Sequence, residues 1–339
     1  MENAYEYLPS LNGKAPAADF SSFVPRAGEP YPNQWITDFL TVGPFVVKTD
    51  GAFETEYFYQ REKVLSVDYL EADGGEAGVR PVLGGRVQNR SDYGPGVLTW
   101  REGLRKWGCL RFDEDEEAFH DAFSATVQGN CVFYAATYVR CRGEQLAILS
   151  YENSGCLLYV NGELADSQPY GRVKSLTTMG HRVAVRLRDG LNVILFKLRT
   201  GYLADTADLS MSFFAVHPVG LVSGNLGITY PQPTGAYLGR GEALRQMHYV
   251  FAGAFGGEAE GRLSYRAGGF GEDVEVPRLA SGEVKILRVG APLSGGEGLR
   301  DMEVRLRTEG DTAEGVFWVR ARPWTDRGIR EHIFSDFHF

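Results

Sequence analysis

Histidine and carboxylate side chains are the first candidates for chemistry in this chain of 339 residues. Histidine nitrogen and carboxylate oxygen both suit Zn²⁺, and alternate residues of a strand point to the same side. His338 could be one such ligand, but a single histidine binds zinc weakly and no second ligand is placed. Within this chain we therefore interpret His338 as an ordinary residue. The other histidines have no ligand spacing: His120, His181, His217, His248 and His332.

Two further sets of polar residues could bind a metal or form bridges. Carboxylates are dense between Asp113 and Asp121, but they lack the spaced Asp-x-Asp-x-Asp-Gly pattern of a calcium loop, so a solvated loop or helix start is favoured. The cysteines show no Cys-x-x-Cys spacing, so a zinc knuckle or a thioredoxin motif is not supported. We expect thiols in a reducing cytoplasm, and the alternative is one or two disulfides in an exported protein. The cysteines are Cys109, Cys131, Cys141 and Cys156.

No catalytic residue is assigned from the sequence, because it contains no Ser/His/Asp order, phosphate loop or Gly-x-Ser-x-Gly elbow. Aromatic side chains near turn signals are candidates for carbohydrate binding, since an aromatic ring can stack on the C–H face of a sugar. The alternative is that each belongs to the core or its rim. The candidates are Tyr93, Trp100, Trp107, Tyr170 and Tyr202.

Composition narrows the class of partner. The net charge is −9 at pH 7, which argues against nucleic acid or an anionic membrane as a partner. The first residues are acidic and aromatic rather than basic and apolar, so they do not form a secretory signal. No apolar run approaches the length of a membrane span. The sequence therefore predicts a soluble protein in the cytoplasm.

The elements that must position any site are predicted to be β-strands. Apolar residues alternate at Val183, Val185 and Leu187, which is the period of a strand with one buried face. The dipeptides Asn161-Gly162 and Asp189-Gly190 predict tight turns, because both tolerate positive φ. The apolar run 193–196 predicts a central strand that is buried on both faces.

This arrangement resembles a known group of modules. Tyr159-Val160-Asn161-Gly162, followed by the Leu-x-Asp-Gly-x-Asn-x-Ile-x-Phe-Lys pattern over residues 187–197, is similar to the galactose-binding-like jelly rolls attached to bacterial glycoside hydrolases. The resemblance implies a carbohydrate-binding or spacer domain rather than a catalytic one.

The whole chain is predicted to be all-β, with a galactose-binding-like jelly roll followed by a smaller immunoglobulin-like sandwich. We expect an N-terminal arm over residues 1–30, the jelly roll over 31–217 and a glycine- and proline-rich linker over 218–241. The second sandwich is expected over 242–323, where Val304 and Leu306 alternate with charged residues. Residues 324–339 are expected to begin a catalytic domain that this chain lacks.

That last expectation comes from a second resemblance. The segment from Ile333 to Phe339, Ile-Phe-Ser-Asp-Phe-His-Phe, is similar to the first strand of the catalytic barrel in glycoside hydrolase family 38, the α-mannosidase-like enzymes. In that family a His-x-Asp supplies two ligands of a catalytic zinc, and His338 occupies the place of the histidine. The resemblance implies a longer, zinc-dependent parent, whereas no cofactor is expected in this chain.

Two functions remain open at this point. The first is a non-catalytic accessory region of an α-mannosidase-like glycoside hydrolase, with carbohydrate and the catalytic domain as candidate partners. The second is a self-contained structural or protein-interaction module built from β-sandwiches.

Overall fold

The described part of the chain is built almost entirely from strands, which confirms the predicted all-β fold. The computed structural model describes residues 5–7, 18–20, 36, 39–46, 64–89, 96–106, 109–111, 131–152, 155–168, 180–200, 213–238, 245–292 and 298–321. No helix in these ranges is long and apolar enough to cross a membrane.

The described residues form 23 strands. In chain order they are β1 (Tyr5–Tyr7), β2 (Ala18–Phe20), β3 (Leu40–Val46), β4 (Arg86–Gln88), β5 (Val97–Thr99), β6 (Arg101–Glu102), β7 (Leu104–Lys106), β8 (Cys109–Arg111), β9 (Cys131–Cys141), β10 (Gln145–Glu152), β11 (Cys156–Val160), β12 (Glu163–Gln168), β13 (His181–Leu187), β14 (Gly190–Thr200), β15 (Phe213–Ser223), β16 (Leu226–Thr229), β17 (Gln232–Leu238), β18 (Arg245–Ala254), β19 (Ala259–Ala267), β20 (Phe270–Leu279), β21 (Val284–Pro292), β22 (Gly298–Thr308) and β23 (Asp311–Ala321). Before β4, residues 64–66 are helical, and a 3₁₀ turn (Glu71–Asp73) and a short helix, α1 (Gly75–Gly78), follow them.

The first sandwich packs two antiparallel sheets face to face. One sheet has the order β12-β11-β14-β9, and both β1 and β3 pair with β9. The other sheet begins β13-β10-β15. The alternating residues Val183, Val185 and Leu187 of β13 enter the core between the sheets, where Phe196 and Phe214 also lie. The predicted alternation of β13 is thus confirmed.

Strand β14 is covered on both faces, as its continuous apolar run predicts. Ile194 and Phe196 face the core between the sheets. Val193 and Leu195 face the opposite side, where residues 64–89 cover the sheet. A strand in this position has no solvent-facing side, so every polar residue on it needs a partner within the protein.

The turn between β11 and β12 has the predicted conformation, with φ of 55° at Asn161 and 88° at Gly162. Positive φ at both central residues is the geometry that matches the twist of a hairpin. A Cβ at Gly162 would collide with the backbone carbonyl of Ala77 in the segment that covers the sheet. The turn therefore needs glycine for two reasons, its φ and its close contact.

We expect Gly162→Ala to lower the free energy of unfolding by about 1–3 kcal/mol, because alanine would be strained at this φ and would push Ala77 away. The matched control is Gly310→Ala, where φ is 81° but a Cβ would meet nothing within 4 Å. Urea denaturation of both variants checks this. Equal losses would contradict a contribution from the Ala77 contact.

The second sandwich has a core between two sheets. One is the four-stranded sheet β20-β19-β22-β23, and the other contains β16, β18 and β21. On β22, Val304 and Leu306 are buried while Glu303, Arg305 and Arg307 are exposed, as the sequence predicts. The core also takes Leu263 and Phe317 from the neighbouring strands.

The segment predicted to be a linker, residues 218–241, is not one in the part that the structure describes. Strand β15 pairs with β10 over residues 213–218 and with β16 over residues 219–223. Strands β16 and β17 then both pair with β18. The described strands β13, β10, β15, β16, β18, β17 and β21 thus form one hydrogen-bonded sheet that serves both sandwiches.

Two short strands are described in the predicted N-terminal arm, whereas the last residues of the chain lie outside the described ranges. In the predicted N-terminal arm, Tyr5–Tyr7 pairs with residues 139–141 of β9, and Ala18–Phe20 pairs with Tyr5–Tyr7. Residues 324–339, which were predicted to begin a catalytic domain, lie outside the described ranges.

Candidate functional site

A buried polar site on the outer face of the first sandwich is centred on Lys197. We call Asp68, Glu76, Tyr134, Tyr159 and Lys197 the Lys197 cluster. Tyr134 and Lys197 come from the paired strands β9 and β14, and Tyr159 comes from β11. Asp68 and Glu76 come from the segment that covers this face, and α1 positions Glu76.

The ammonium group of Lys197 is fully enclosed by acceptors. The Lys197 side chain has no exposed surface, and its Nζ donates to the carbonyl oxygens of Leu65 at 2.7 Å and Val67 at 2.6 Å. It also donates to Glu76 Oε1 at 2.6 Å. An ammonium group has three N–H donors, so all of them are used.

Both oxygen atoms of the Glu76 carboxylate accept hydrogen bonds. Its Oε1 accepts a hydrogen bond from the Tyr134 hydroxyl at 2.6 Å, and its Oε2 accepts one from the Tyr159 hydroxyl at 2.5 Å. The Glu76 backbone N–H donates to Asp68 Oδ2 at 2.9 Å, which fixes the start of α1. The Lys197 ammonium also lies 5.4 Å from the centre of the Tyr69 ring, within the range of a cation–π contact.

Burial shapes the protonation of the cluster. Loss of solvent lowers the pKa of Lys197, and the charge of Glu76 opposes that effect. Burial raises the pKa of Tyr134 well above its usual value, and the nearby Glu76 carboxylate raises it further. Burial likewise raises the pKa of Tyr159, again with a contribution from Glu76. Both tyrosines are therefore neutral donors at physiological pH.

Lysine, glutamate and tyrosine are residue types that general acid–base catalysis uses. In the Lys197 cluster, however, each of these groups already forms hydrogen bonds with other groups of the protein. The cluster joins the covering segment to the sheet, and we interpret it as a structural lock rather than as a reaction centre.

The buried tyrosines are expected to lower the stability of the folded protein at alkaline pH. Burial raises the pKa of Tyr134, Tyr138 and Tyr151, so the folded protein keeps these protons at a pH where the unfolded chain loses them. Because the folded state then binds more protons, stability falls as pH rises through about 10. We expect urea denaturation to show this fall, with a shallower slope for Tyr138→Phe than for the wild type. An unchanged slope in that variant would contradict the contribution of Tyr138.

A second buried polar group lies between the two sandwiches. Ser150 Oγ and His217 Nε2 are 2.7 Å apart, and both residues are buried. Burial, together with the charge of Arg182, lowers the pKa of His217 to about 3, so the imidazole is neutral. A serine–histidine pair invites comparison with nucleophilic catalysis, but in the described part of the chain no carboxylate hydrogen-bonds to His217.

Among the predicted sugar-binding aromatics, only Trp100 falls within the described residues. Its side chain is 3% exposed and packs in the core under the covering segment, beside Leu98 and Val87. Neither face of this ring is available to a sugar, so the predicted stacking role does not fit Trp100. The other candidates lie outside the described ranges: Tyr93, Trp107, Tyr170 and Tyr202.

The candidate metal-binding residues, His338 and the acidic run, also lie beyond the described residues. His338, His332, His120 and the acidic run 113–121 all lie outside them. Within the described ranges, no group of three histidine, cysteine or acidic side chains could hold a metal ion. Cys141 and Cys156 are buried in the first core, and neither belongs to a disulfide.

Comparisons with known proteins leave the family open. No family model matches the chain, and no curated protein matches its sequence. Several solved glycosidase structures are similar to parts of this chain, with low identities and TM-scores. A GH2 β-galacturonidase from Eisenbergiella tayi bound to galacturonate is 11% identical with a TM-score of 0.36, over 67% of this chain and 40% of that one.

A β-D-mannosidase from Dictyoglomus thermophilum is 10% identical with a TM-score of 0.29, over 65% of this chain and 34% of that one. A β-glucuronidase from Bacteroides uniformis is 11% identical with a TM-score of 0.27, over 57% and 26%. This chain spans less than half the length of these solved structures. Scores at this level define no relationship, and the fold class rests on the strands and sheets described above.

Sequence analysis missed the Lys197 cluster, although one signal pointed to it. Lys197 directly follows the apolar run 193–196, whose strand was predicted to be covered on both faces. A lysine on such a strand must be paired if it is buried. The identity of its partner could not be predicted, since Glu76 is 121 residues away in sequence.

Proposed function

We propose that this chain is a non-catalytic β-sandwich region of a glycoside hydrolase, and that it holds the catalytic domain in a fixed position. The observation that carries the proposal is the course of β15, which pairs first within one sandwich and then within the next. A strand shared in this way ties the two sandwiches together through backbone hydrogen bonds, which suits a spacer. The jelly-roll pattern around Tyr159 and Lys197 supplies the connection to glycoside hydrolases.

The proposed parent is an α-mannosidase-like enzyme of family 38 that depends on zinc. Support comes from the resemblance of residues 333–339 to the first strand of that catalytic barrel. His338 would be one zinc ligand in the longer protein. Among the described residues no group of three histidine, cysteine or acidic side chains could hold a metal ion, and no chemical step is assigned to them.

Carbohydrate remains a proposed partner of the first sandwich. The proposal now depends on Tyr93, Trp107, Tyr170 and Tyr202, since Trp100 is buried. Titration of the chain with mannose and galactose, followed by calorimetry, tests this role. Saturable binding at millimolar sugar would support it, and the absence of binding would limit the region to a spacer.

The main test compares this chain with the longer protein to which we assign it. We expect the longer protein to hydrolyse 4-nitrophenyl α-D-mannoside and to lose that activity when a chelator removes zinc. We expect this chain alone to have no such activity under the same conditions. Hydrolysis by this chain alone would overturn the accessory role, and zinc-independent hydrolysis by the longer protein would overturn the family 38 assignment.

A junction substitution in the longer protein tests the spacer role. A Cβ at Gly253 would lie 2.9 Å from Ala184 Cβ and 3.1 Å from Ile148 Cδ1, between the two sandwiches. Gly253→Leu should therefore separate the sandwiches and speed thermal inactivation of the mannosidase activity. Gly96→Leu introduces the same side chain where a Cβ meets nothing within 4 Å and where, as at Gly253, φ is not positive. Equal inactivation rates for the two variants would contradict the spacer role.

A further inference from the structure

The two sandwiches meet at an interface with an apolar part and a polar part. The outer face of β13, β10 and β15 packs against the outer face of β18, and Ile148, Ala184 and Phe251 form part of the apolar contact. The Ala184 N–H also donates to the Gly282 carbonyl oxygen at 2.9 Å, which ties β13 to the turn before β21. The polar part consists of Ser150, Arg182, His217 and Gln232, which we call the junction polar group.

These four residues lie on the facing surfaces of the two sandwiches. Arg182 is directly opposite Ser150 in the pairing of β13 with β10, and His217 lies on β15 beside them. Across the interface, Gln232 is directly opposite Tyr249 in the pairing of β17 with β18. Opposite residues of antiparallel strands share a face, so Gln232 lies on the same side as Tyr249 and Phe251. The guanidinium of Arg182 lies 5.0 Å from the Phe251 ring centre.

Arg182 is a largely buried cation without a counter-charge. Its Nη1 donates to the Gly180 carbonyl oxygen at 3.1 Å, but its Nε is buried and has no hydrogen-bond partner. No carboxylate of the described residues forms an ion pair with it. Burial lowers the pKa of Arg182 to about 10, with partial opposition from Tyr249, so the group is still charged at neutral pH. Buried charges in proteins are normally paired.

Gln232 is the second unusual residue in this group. It is 2% exposed, and neither its Nε2 nor its Oε1 has a hydrogen-bond partner. A buried amide with both ends unpaired is rare and demands an explanation such as a bound ion or water. Arg182 and Gln232 thus give two independent indications of a bound group at the same interface.

The remaining members of the group add a donor but no negative charge. The Ser150 hydroxyl and His217 Nε2 contact each other at 2.7 Å, and the His217 ring packs on Phe251 with centres 4.8 Å apart. Since an imidazole is either neutral or positive, His217 does not balance the charge of Arg182 in any protonation state. A bound anion would balance that charge and would accept hydrogen bonds from Arg182 Nε and Gln232 Nε2.

We propose that the junction polar group binds one small oxyanion, a carboxylate or a tetrahedral anion, between the two sandwiches. The anion connects Arg182 of the first sandwich with Gln232 of the second. Its binding therefore stabilises the junction as well as the local site. The proposal is independent of any catalytic domain.

Equilibrium dialysis of the full chain with radiolabelled inorganic phosphate, and separately with acetate, tests the proposal. We expect saturable binding of about one anion per chain, the ratio set by one guanidinium. A response to phosphate alone identifies a tetrahedral anion, and a response to acetate identifies a carboxylate site. Failure of both anions to saturate would overturn the proposal and would leave water as the partner of Gln232.

Two variants locate the site. Gln232→Leu removes the unpaired amide, so it should fold at least as stably as the wild type without anion and should lose anion binding. Arg182→Gln should lose binding too, because it removes the positive charge. Arg307→Gln is the control, since this exposed arginine lies on β22, away from the junction. Anion binding that persists in Gln232→Leu, or that disappears in Arg307→Gln, would contradict the assignment.

Thermal unfolding gives a second readout. Phosphate should raise the midpoint of the wild-type protein by about 2 °C or more relative to chloride at equal ionic strength, since a ligand of the folded state stabilises it. The same addition should leave the Gln232→Leu midpoint at its chloride value. Equal shifts in both proteins would indicate a general salt effect and would overturn a specific site.

Discussion

Replacement of Lys197 by methionine is expected to lower the free energy of unfolding by about 3–5 kcal/mol, as removal of one partner of a buried ion pair does. Methionine has a similar volume, so the packing of β14 is largely kept. The Glu76 carboxylate and the carbonyl oxygens of Leu65 and Val67 would lose their donor in a buried place. Urea denaturation monitored by circular dichroism measures the loss.

Two further variants show whether the buried pair is the cause. Lys285→Met removes an exposed lysine and should change the free energy of unfolding by less than about 0.5 kcal/mol. The double variant Lys197→Met/Glu76→Leu should recover part of the loss, because it removes the unpaired carboxylate together with its partner. A loss in Lys197→Met no larger than in Lys285→Met would show that the cluster does not lock the covering segment.

A comparable loss, about 3–5 kcal/mol, is expected for Phe196→Ala. Phe196 is fully buried at the centre of the first core, with ring centres 5.1 Å from Phe214 and 5.4 Å from Tyr151. Removal of the ring leaves a cavity in the core between the two sheets. The strands around this cavity are held by hydrogen bonds within their sheets, so the cavity cannot easily collapse. Guanidinium denaturation of the variant measures the change.

The control for this substitution is Leu164→Ala on β12. Leu164 is 55% exposed, so its truncation should cost far less than that of Phe196. If both substitutions destabilised the protein equally, the central position of Phe196 in the core would be contradicted.

Much of the fold could be predicted from local patterns. The alternation of β13, the continuous apolar run of β14 and the Asn161-Gly162 turn all depend on residues close in sequence, and all are confirmed. The same is true of Val304 and Leu306 in the second sandwich. Such signals are strong because a strand with a buried face permits only one side-chain pattern.

The linker prediction was wrong for a physical reason. Glycine and proline between 218 and 241 predict an irregular segment, but Pro218 is buried on β15 and lies opposite Ala147 of β10. Gly227 of β16 lies where a Cβ would press on Phe255 at 2.8 Å. In this region glycine permits close packing rather than a loop, which composition alone does not reveal.

The candidate sites were the least predictable part of the molecule. The Lys197 cluster combines residues from three strands and from a covering segment that showed no clear periodicity. The junction polar group depends on the contact between two sandwiches, so no local pattern marks Arg182 or Gln232. An aromatic residue near a turn signal is a weak prediction of a sugar-binding residue. Trp100 has such a position, but its side chain packs in the core.

The continuous β15 strand has a mechanical consequence. A rotation of one sandwich relative to the other would bend this strand and break its hydrogen bonds to β10 or β16. The two sandwiches should therefore move together instead of rotating relative to each other about a hinge. Any body attached to one end would keep its orientation relative to the other end.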